Sequence, residues 1–242
     1  MSLLSIANAV ADETKGARPQ TIVGNSDPDA QSMLRLINKV GYRLMLKYPW
    51  SILRAEEIVT TPGTETMVTA ANMPTGFNRF VPETMWDRDS NNLVSGPVHP
   101  VEWNGLKVQT FSSQNKKFIY RGGAILTSPL FSAGVTVAYE YVLDTWVDIA
   151  ATGTPKSSMT LDTDVARIDE ELIIAGAAYA YLEADGQPYA TAFQNFKEMF
   201  DTIAKNDAGD VPMLITGDIF SENTRHFQGA PQASRASYGG DF

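Results

Sequence analysis

Apolar positions recur at steps of three and four in four stretches of the chain, two near its start and two in its last third. Leu3, Leu4, Ile6, Ala7, Val10 and Ala11 fall loosely on one face, with Gly16 and Pro19 to stop the pattern, which predicts a short docking helix. A second helix is signalled by Ser26 or Asp27 as cap and by Pro28 at its first position. Met33, Leu36 or Ile37, Val40 and Leu44 form its stripe, while Arg35, Lys39, Arg43 and Lys47 lie mostly on other faces. It ends at Tyr48-Pro49, because proline disfavours helical geometry in the residue before it. Further on, Asp162-Thr163-Asp164 reads as a helix start ahead of Val165, Ile168, Leu172, Ala175, Tyr179 and Leu182, and Asp185-Gly186 closes that stripe. Pro188 opens a last helix on which Tyr189, Phe193, Phe196, Phe200 and Ile203 keep the spacing. The short connection makes these two an antiparallel hairpin, and the earlier helix supplies a third apolar stripe in need of a partner.

Between residues 55 and 149 the periodicity changes. Short runs rich in β-formers are separated by Gly, Pro, Asn and Ser, with no helical repeat. The expected strands are Glu57 to Thr60, Glu65 to Thr69, Arg79 to Trp86, Leu106 to Phe111, Lys117 to Tyr120, Ala124 to Leu126 and Val135 to Leu143. The last alternates cleanly, Val135, Val137, Tyr139 and Tyr141 against Thr136, Ala138 and Glu140, so one face of its sheet is packed. A Thr/Gly/Ser/Pro-rich linker follows at Ala151 to Thr160. Past residue 207 no period is sustained, and small and polar residues with isolated aromatics cannot repay the entropy of ordering alone. That end reads either as an arm that orders on assembly or as a plain flexible end.

The expected fold class is therefore α+β: an antiparallel helical bundle with an inserted β-rich domain and an extended C-terminal arm. Its divisions are 1–54 for the N-terminal helices, 55–150 for the insertion, 151–206 for linker and helical hairpin, and 207–242 for the arm.

Composition narrows the chemistry. The chain has 242 residues, of which 43% are hydrophobic, enough to bury a core without staples. The absence of cysteine removes disulfides, thiolate metal sites and cysteine nucleophiles together. A net charge of −9, with 19 scattered basic residues, argues against a general nucleic-acid binder. The apolar stretch at the start lacks a basic beginning and is broken by Asn8, so neither a signal peptide nor a membrane anchor is expected.

Candidate chemistry is thin. His99, in a β-loop, and His226, in the tail, supply a histidine-based mechanism poorly, and Asp162-x-Asp164 suits capping better than a cation. No phosphate-cradling or nucleophile-elbow motif is present. Neither a catalytic residue nor a cofactor or metal is assigned. Of the four tryptophans, Trp146 reads as a core anchor, whereas Trp50, directly after a helix stop, suits either the core or a functional contact. For a glycan hydrolase, the enzymatic alternative, Asp87, Asp89 and Glu102 are the acids to nominate. A host-surface binding module on the β-rich part is a third reading, and it requires a concave aromatic patch.

Taken in order, four segments resemble the head–tail adaptor (connector) proteins of short-tailed bacteriophages, the tail tubular protein A type. They are MLRLINKVGYRLMLKYPWSILRAEEI, MPTGFNRFVPETMWDRDSNN, LTSPLFSAGVTVAYEYVLDTWV and LDTDVARIDEELIIAGAAYAYLEADGQPY, and the likeness covers most of residues 20 to 206. The resemblance implies a non-enzymatic structural virion protein, made in the host cytoplasm and placed in the neck. It implies a dodecameric ring that docks on the portal protein after DNA packaging and carries the tail or nozzle protein below. Double-stranded DNA would pass non-specifically through the lumen, with no membrane insertion. Carried onto this chain, the resemblance makes 207–242 the portal-contacting arm, with Phe220, Phe227, Tyr238 and Phe242 as interface candidates and Trp50 as the helix-end aromatic anchor.

Overall fold

The computed structural model describes residues 1–108 and 115–207. Its helices are α1 (Leu3–Thr14), α2 (Pro28–Lys47), α3 (Pro100–Val108), α4 (Glu170–Ala184) and α5 (Ala190–Asp207). α1 buries Leu3, Ile6, Ala7, Val10 and Ala11, while Leu4 of the expected stripe is only half-buried. α2 begins and ends where the local signals place it: the Asp27 carboxylate accepts from the Asp29 amide at 3.1 Å, and extended Tyr48 precedes Pro49.

α4 differs from the sequence expectation in two ways. Val165 and Ile168 lie ahead of it, and the cap is Asp169, whose carboxylate accepts from the Leu172 amide at 3.0 Å. Nor is it a one-sided helix. Leu172, Ile173, Ile174, Gly176, Ala177, Ala178 and Tyr179 are all buried, because α4 packs against α1, α2 and α5. A helix apolar on most of its circumference needs cover from several sides. Small residues permit the approach: a Cβ at Gly176 would stand 2.7 Å from Val40 Cγ1 and 2.9 Å from Phe196 Cε2.

The strands are β1 (Arg54–Thr60), β2 (Thr66–Val68), β3 (Phe77–Phe80), β4 (Trp86–Asp87), β5 (Asn92–Leu93), β6 (Lys117–Arg121), β7 (Ala124–Ser128), β8 (Thr136–Leu143), β9 (Val147–Asp148), β10 (Pro155–Lys156) and β11 (Val165–Ala166). All the pairings between them are antiparallel. β8 is the spine of the largest sheet, ordered β1-β8-β4-β5, with β3 beside β4 on the same edge of β8. A second sheet runs β2-β7-β6. The expected face of β8, Val137, Tyr139 and Tyr141, meets Met67 and Val68 of β2, Phe118 of β6 and Ile125 of β7 in one core. Phe80 anchors it with edge-on contacts to Phe118, Tyr120 and Tyr139 at 5.2–5.6 Å.

Three further expectations are corrected. The single strand from Arg79 to Trp86 is two strands, because Pro82 and left-handed Glu83 turn the chain outward, and the Thr84 hydroxyl takes over by accepting from the Glu140 amide at 3.1 Å. Leu106 to Val108 closes α3 rather than opening a strand, and the rest of that expected strand lies outside the described residues. α3 escapes a periodicity search because Trp103 is its one buried side chain. The linker at 151–160 is partly ordered by pairing, since β10 and β11 flank β9. It is also clamped to α2: the Asn38 amide group donates to the Met159 carbonyl at 3.1 Å and accepts from its N–H at 2.7 Å.

Two helical glycines predict opposite outcomes for the same substitution. A Cβ at Gly41 would stand only 2.2–2.5 Å from three ring carbons of Trp146, so Gly41→Ala is expected to destabilise by about 1–3 kcal/mol through overpacking. Gly105 in α3 faces open space, so Gly105→Ala is expected to stabilise by up to about 1 kcal/mol. Denaturant midpoints of the two variants check the pair.

Candidate functional site

The chain passes from helical layer to sheet at one corner, built by the residues that stop α2. Proline turns the backbone after Tyr48, and Trp50 folds back so that its indole N–H donates at 2.9 Å to the Leu44 carbonyl, which also accepts the Tyr48 amide at 3.3 Å. Trp50 is 3% exposed and makes edge-on contacts with Tyr48 at 4.7 Å and with Phe200 of α5 at 5.9 Å. Each such ring pair contributes about 0.5–1.5 kcal/mol beyond its burial. The structure thus places Trp50 inside, as the ring on which α2 meets α5.

Hydrogen bonds finish the corner. The Tyr48 hydroxyl donates to the Ala204 carbonyl at 3.1 Å, and the Ser51 amide donates to the Asp207 carboxylate at 2.9 Å, with the Ser51 hydroxyl bound to the same carboxylate. Burial first, and then the nearby Asp207 charge, raise the Tyr48 phenol above its ordinary value, so it remains a donor across the working range of pH. Sequence reading missed this clamp: Asp207 had been assigned to the arm, and its partner is 156 positions away.

A second polar corner holds the Asp162-Thr163-Asp164 loop. Neither acid caps α4. Asp162 accepts from the Ile22 and Val23 amides at 3.2 and 2.8 Å, and its carbonyl, with that of Asp164, receives the first amides of α1, Leu4 and Leu3, at 3.1 and 2.8 Å. The fully buried Asp164 carboxylate accepts from the Thr160 and Leu161 amides, both at 2.7 Å, and is paired with Lys156. Burial alone would raise its pKa; Lys156 and the two amides outweigh burial and hold it below the ordinary carboxylate value. Both acids thus serve the fold, Asp164 through its Oδ2, on which all three of these contacts converge.

The acids nominated for glycan hydrolysis are likewise engaged. Asp87 is buried and accepts from the Asp89 and Ser90 amides at 3.1 Å, Asp89 accepts from the Thr136 amide at 3.1 Å, and Glu102 pairs with Lys117. A retaining pair stands about 5–5.5 Å apart and an inverting pair about 6.5–9.5 Å, with one acid poised to give its proton. A groove of about 480 Å³ beside β1 and β2 has one carboxylate in its lining, Glu57. A smaller one of about 300 Å³ contains Glu56 and Glu140, directly opposite on β1 and β8, with Arg88 on the first and Arg54 on the second. The two arginines offset the repulsion of like charges facing each other. His99 is exposed, and its Nδ1 accepts from the Val101 amide at 3.3 Å. Trp103 and Trp146 are buried, and Trp86 stands 45% exposed on the outer face of the main sheet. Among the described residues no group of three or more His, Asp or Glu side chains could hold a metal ion, and no helix is long and apolar enough to cross a membrane. Phe220, Phe227, Tyr238, Phe242 and His226 lie outside the described residues.

A family model for SU10 adaptor protein matches residues 1–216, through the helical layer and the whole β-rich region. The chain belongs to the SU10 adaptor protein family. Membership makes it a phage adaptor, a structural protein and a virion component, in line with the broad part of the sequence resemblance; the tail tubular protein A type is a narrower assignment that the match does not carry. No curated protein matches the chain.

Two outcomes are expected for the adaptor body. Tyr48→Phe removes the bond to Ala204 and is expected to cost about 0.5–1.5 kcal/mol, read from urea midpoints at neutral pH. Asp164 has a folded pKa below its unfolded value of about 3.9, so its contribution is complete above that pH and is lost as pH falls through the folded value. The fall in stability on acidification below about pH 4 is therefore expected to flatten in Asp164→Asn, which also starts less stable at pH 7.

Proposed function

We propose that this adaptor is the ring-forming piece of the neck. It docks on the portal once DNA is packaged and provides the platform for the tail or nozzle, with double-stranded DNA passing through its lumen. The family match over residues 1–216 is the observation that carries this reading. In the same reading residues 1–54 and 151–206 make an antiparallel bundle, residues 55–150 the platform for the next tail component, and 207–242 the arm that reaches the portal, anchored by Phe220, Phe227, Tyr238 and Phe242.

The described architecture supports such a division of labour. An adaptor transmits position from one neighbour to the next, so its parts must not shift against each other. Here the Arg79 guanidinium of β3 donates to the Met45 carbonyl near the end of α2 at 3.2 Å, and Arg167 donates to the Ile52 carbonyl at 3.0 Å, tying the sheets to the helical layer. The Ser51–Asp207 clamp fixes the end of α5, the last described point before the proposed arm.

Native mass spectrometry of the full chain, alone and with its cognate portal, tests the reading, with a second protein lacking residues 208–242 so that the Asp207 clamp is kept. The expected result is a stoichiometric ring on the portal that the truncated chain fails to form. A full-length chain that ignores the portal overturns the adaptor reading, whereas a ring that survives truncation overturns only the role of the arm.

A further inference from the structure

The polar face of α2 is unusual in its sign. Arg35, Lys39, Arg43 and Lys47 follow one another at steps of four, all exposed, along about 18 Å of helix. Like charges at that spacing repel and weaken a helix, and the chain as a whole carries 28 acidic against 19 basic residues. A solvated face in such a chain would be expected to mix the signs. Among the described residues none of these four cations forms an ion pair, although Arg54, Arg88, Lys107, Lys117 and Lys156 each hold a carboxylate. Asp201 of α5 acts on Lys47 only at longer range. Beside the ridge, at the same helical spacing, Tyr42 and Leu46 are 50% and 43% exposed.

A counterpart stands elsewhere in the helical layer. Asp27 and Asp29 at the start of α2 and Asp185 at the end of α4 converge on Tyr181, close enough for all three to act on its phenol. All three are exposed, and none is paired with a cation among the described residues. Asp27 and Asp29 have a local reason, since acids suit a helix start, but Asp185 sits at a helix C-terminus, where a negative charge opposes the dipole. Both patches therefore contain charges that their own helices disfavour, and the signs are opposite.

We propose that the α2 ridge of one chain docks the Asp27–Asp29–Asp185 end of a second copy, with Tyr42 and Leu46 covered in the contact. Because the two patches occupy different places on the chain, the contact is head-to-tail: it leaves one ridge and one acidic end free at the extremes of any open row, and it closes only as a ring. This inference rests on the proposed reading that copies assemble, and it names the surfaces.

Charge reversal tests it on the full chain, with thermal midpoints as a control for folding. Lys39→Glu with Arg43→Glu, and separately Asp29→Lys with Asp185→Lys, are each expected to weaken self-association at least tenfold in sedimentation at low salt. Mixing the two reversed proteins is expected to restore it, because each altered patch then meets its new complement. The wild-type association should also weaken as salt rises. Failure of the mixture to recover, unaltered association of either variant, or a wild-type chain that stays monomeric at millimolar concentration and low salt overturns the proposal. So does a ridge variant that loses binding to a short DNA duplex while associating as before, an outcome that assigns the ridge to phosphate. Portal binding is scored in parallel. A chain that self-associates through these patches but ignores the portal sinks the adaptor reading and leaves the contact standing; a portal-bound ring indifferent to charge reversal does the opposite.

Discussion

The burial of α4 is the constraint from which the rest of the structure follows. A helix that carries Leu172, Ile173, Ile174, Gly176, Ala177, Ala178 and Tyr179 as buried residues cannot be satisfied by one neighbour. Its cover comes from α1 and α2 at one end of the chain and from α5 near the other, so segments separated by the entire β-rich region must meet. Gly176 sets how closely they meet, with Val40 on one side and Phe196 on the other. Gly41 repeats the device on α2, where the Trp146 ring occupies the space a side chain would need. The β-rich region is thus an excursion between two segments that share a single core partner, and it leaves and rejoins the helical layer at places where the backbone is pinned.

Those places explain where the buried polar groups went. A loop packed under helices must satisfy its own amides, because an unpaired buried donor costs about 1–3 kcal/mol. Asp164 takes two amides of its own loop and the ammonium of Lys156, Asp162 takes the amides of Ile22 and Val23, and Asn38 takes both groups of Met159. The Asp162 and Asn38 ties join segments more than 100 positions apart, the Asp164 ties close a single loop, and each uses a side chain that would also be ordinary on a surface. Polar residues here fix the path of the connections, while apolar contact holds the layer together.

This division accounts for what was legible beforehand. α2 could be placed to the residue because the Asp27-Pro28 start and Tyr48-Pro49 stop act on their own neighbours, and the inward face of β8 could be read from strict alternation. The start of α4 is misplaced because Asp162 and Asp164 have the composition of a cap, while the Asp162 carboxylate serves the Ile22–Val23 segment and that of Asp164 serves its own loop. β4 and β5 are two residues long and exist only through β8 and each other, so no local pattern announces them. α3 has one buried residue and hence no period. At the candidate site the same rule holds. Trp50 could be singled out as a helix-end ring, but its alternatives were separable only by the position of Phe200, and the Ser51–Asp207 tie depends on a register between distant segments that composition does not encode.

The distribution of charge extends the argument from fold to assembly. In the β-rich region cations are spent internally: Arg54 on Glu140, Arg88 on Glu56, Lys107 on Glu65 and Lys117 on Glu102. Exposed pairs of this kind contribute about 0–1 kcal/mol each, so their main effect is to neutralise those four cations locally rather than to stabilise the sheets. α2 does the reverse, holding four cations unneutralised beside half-exposed Tyr42 and Leu46. In the head-to-tail contact proposed above, these charges meet their compensation on a second copy. Single contacts of this type are weak and screened by salt, so an assembly built on them would draw its strength from many equivalent contacts formed together.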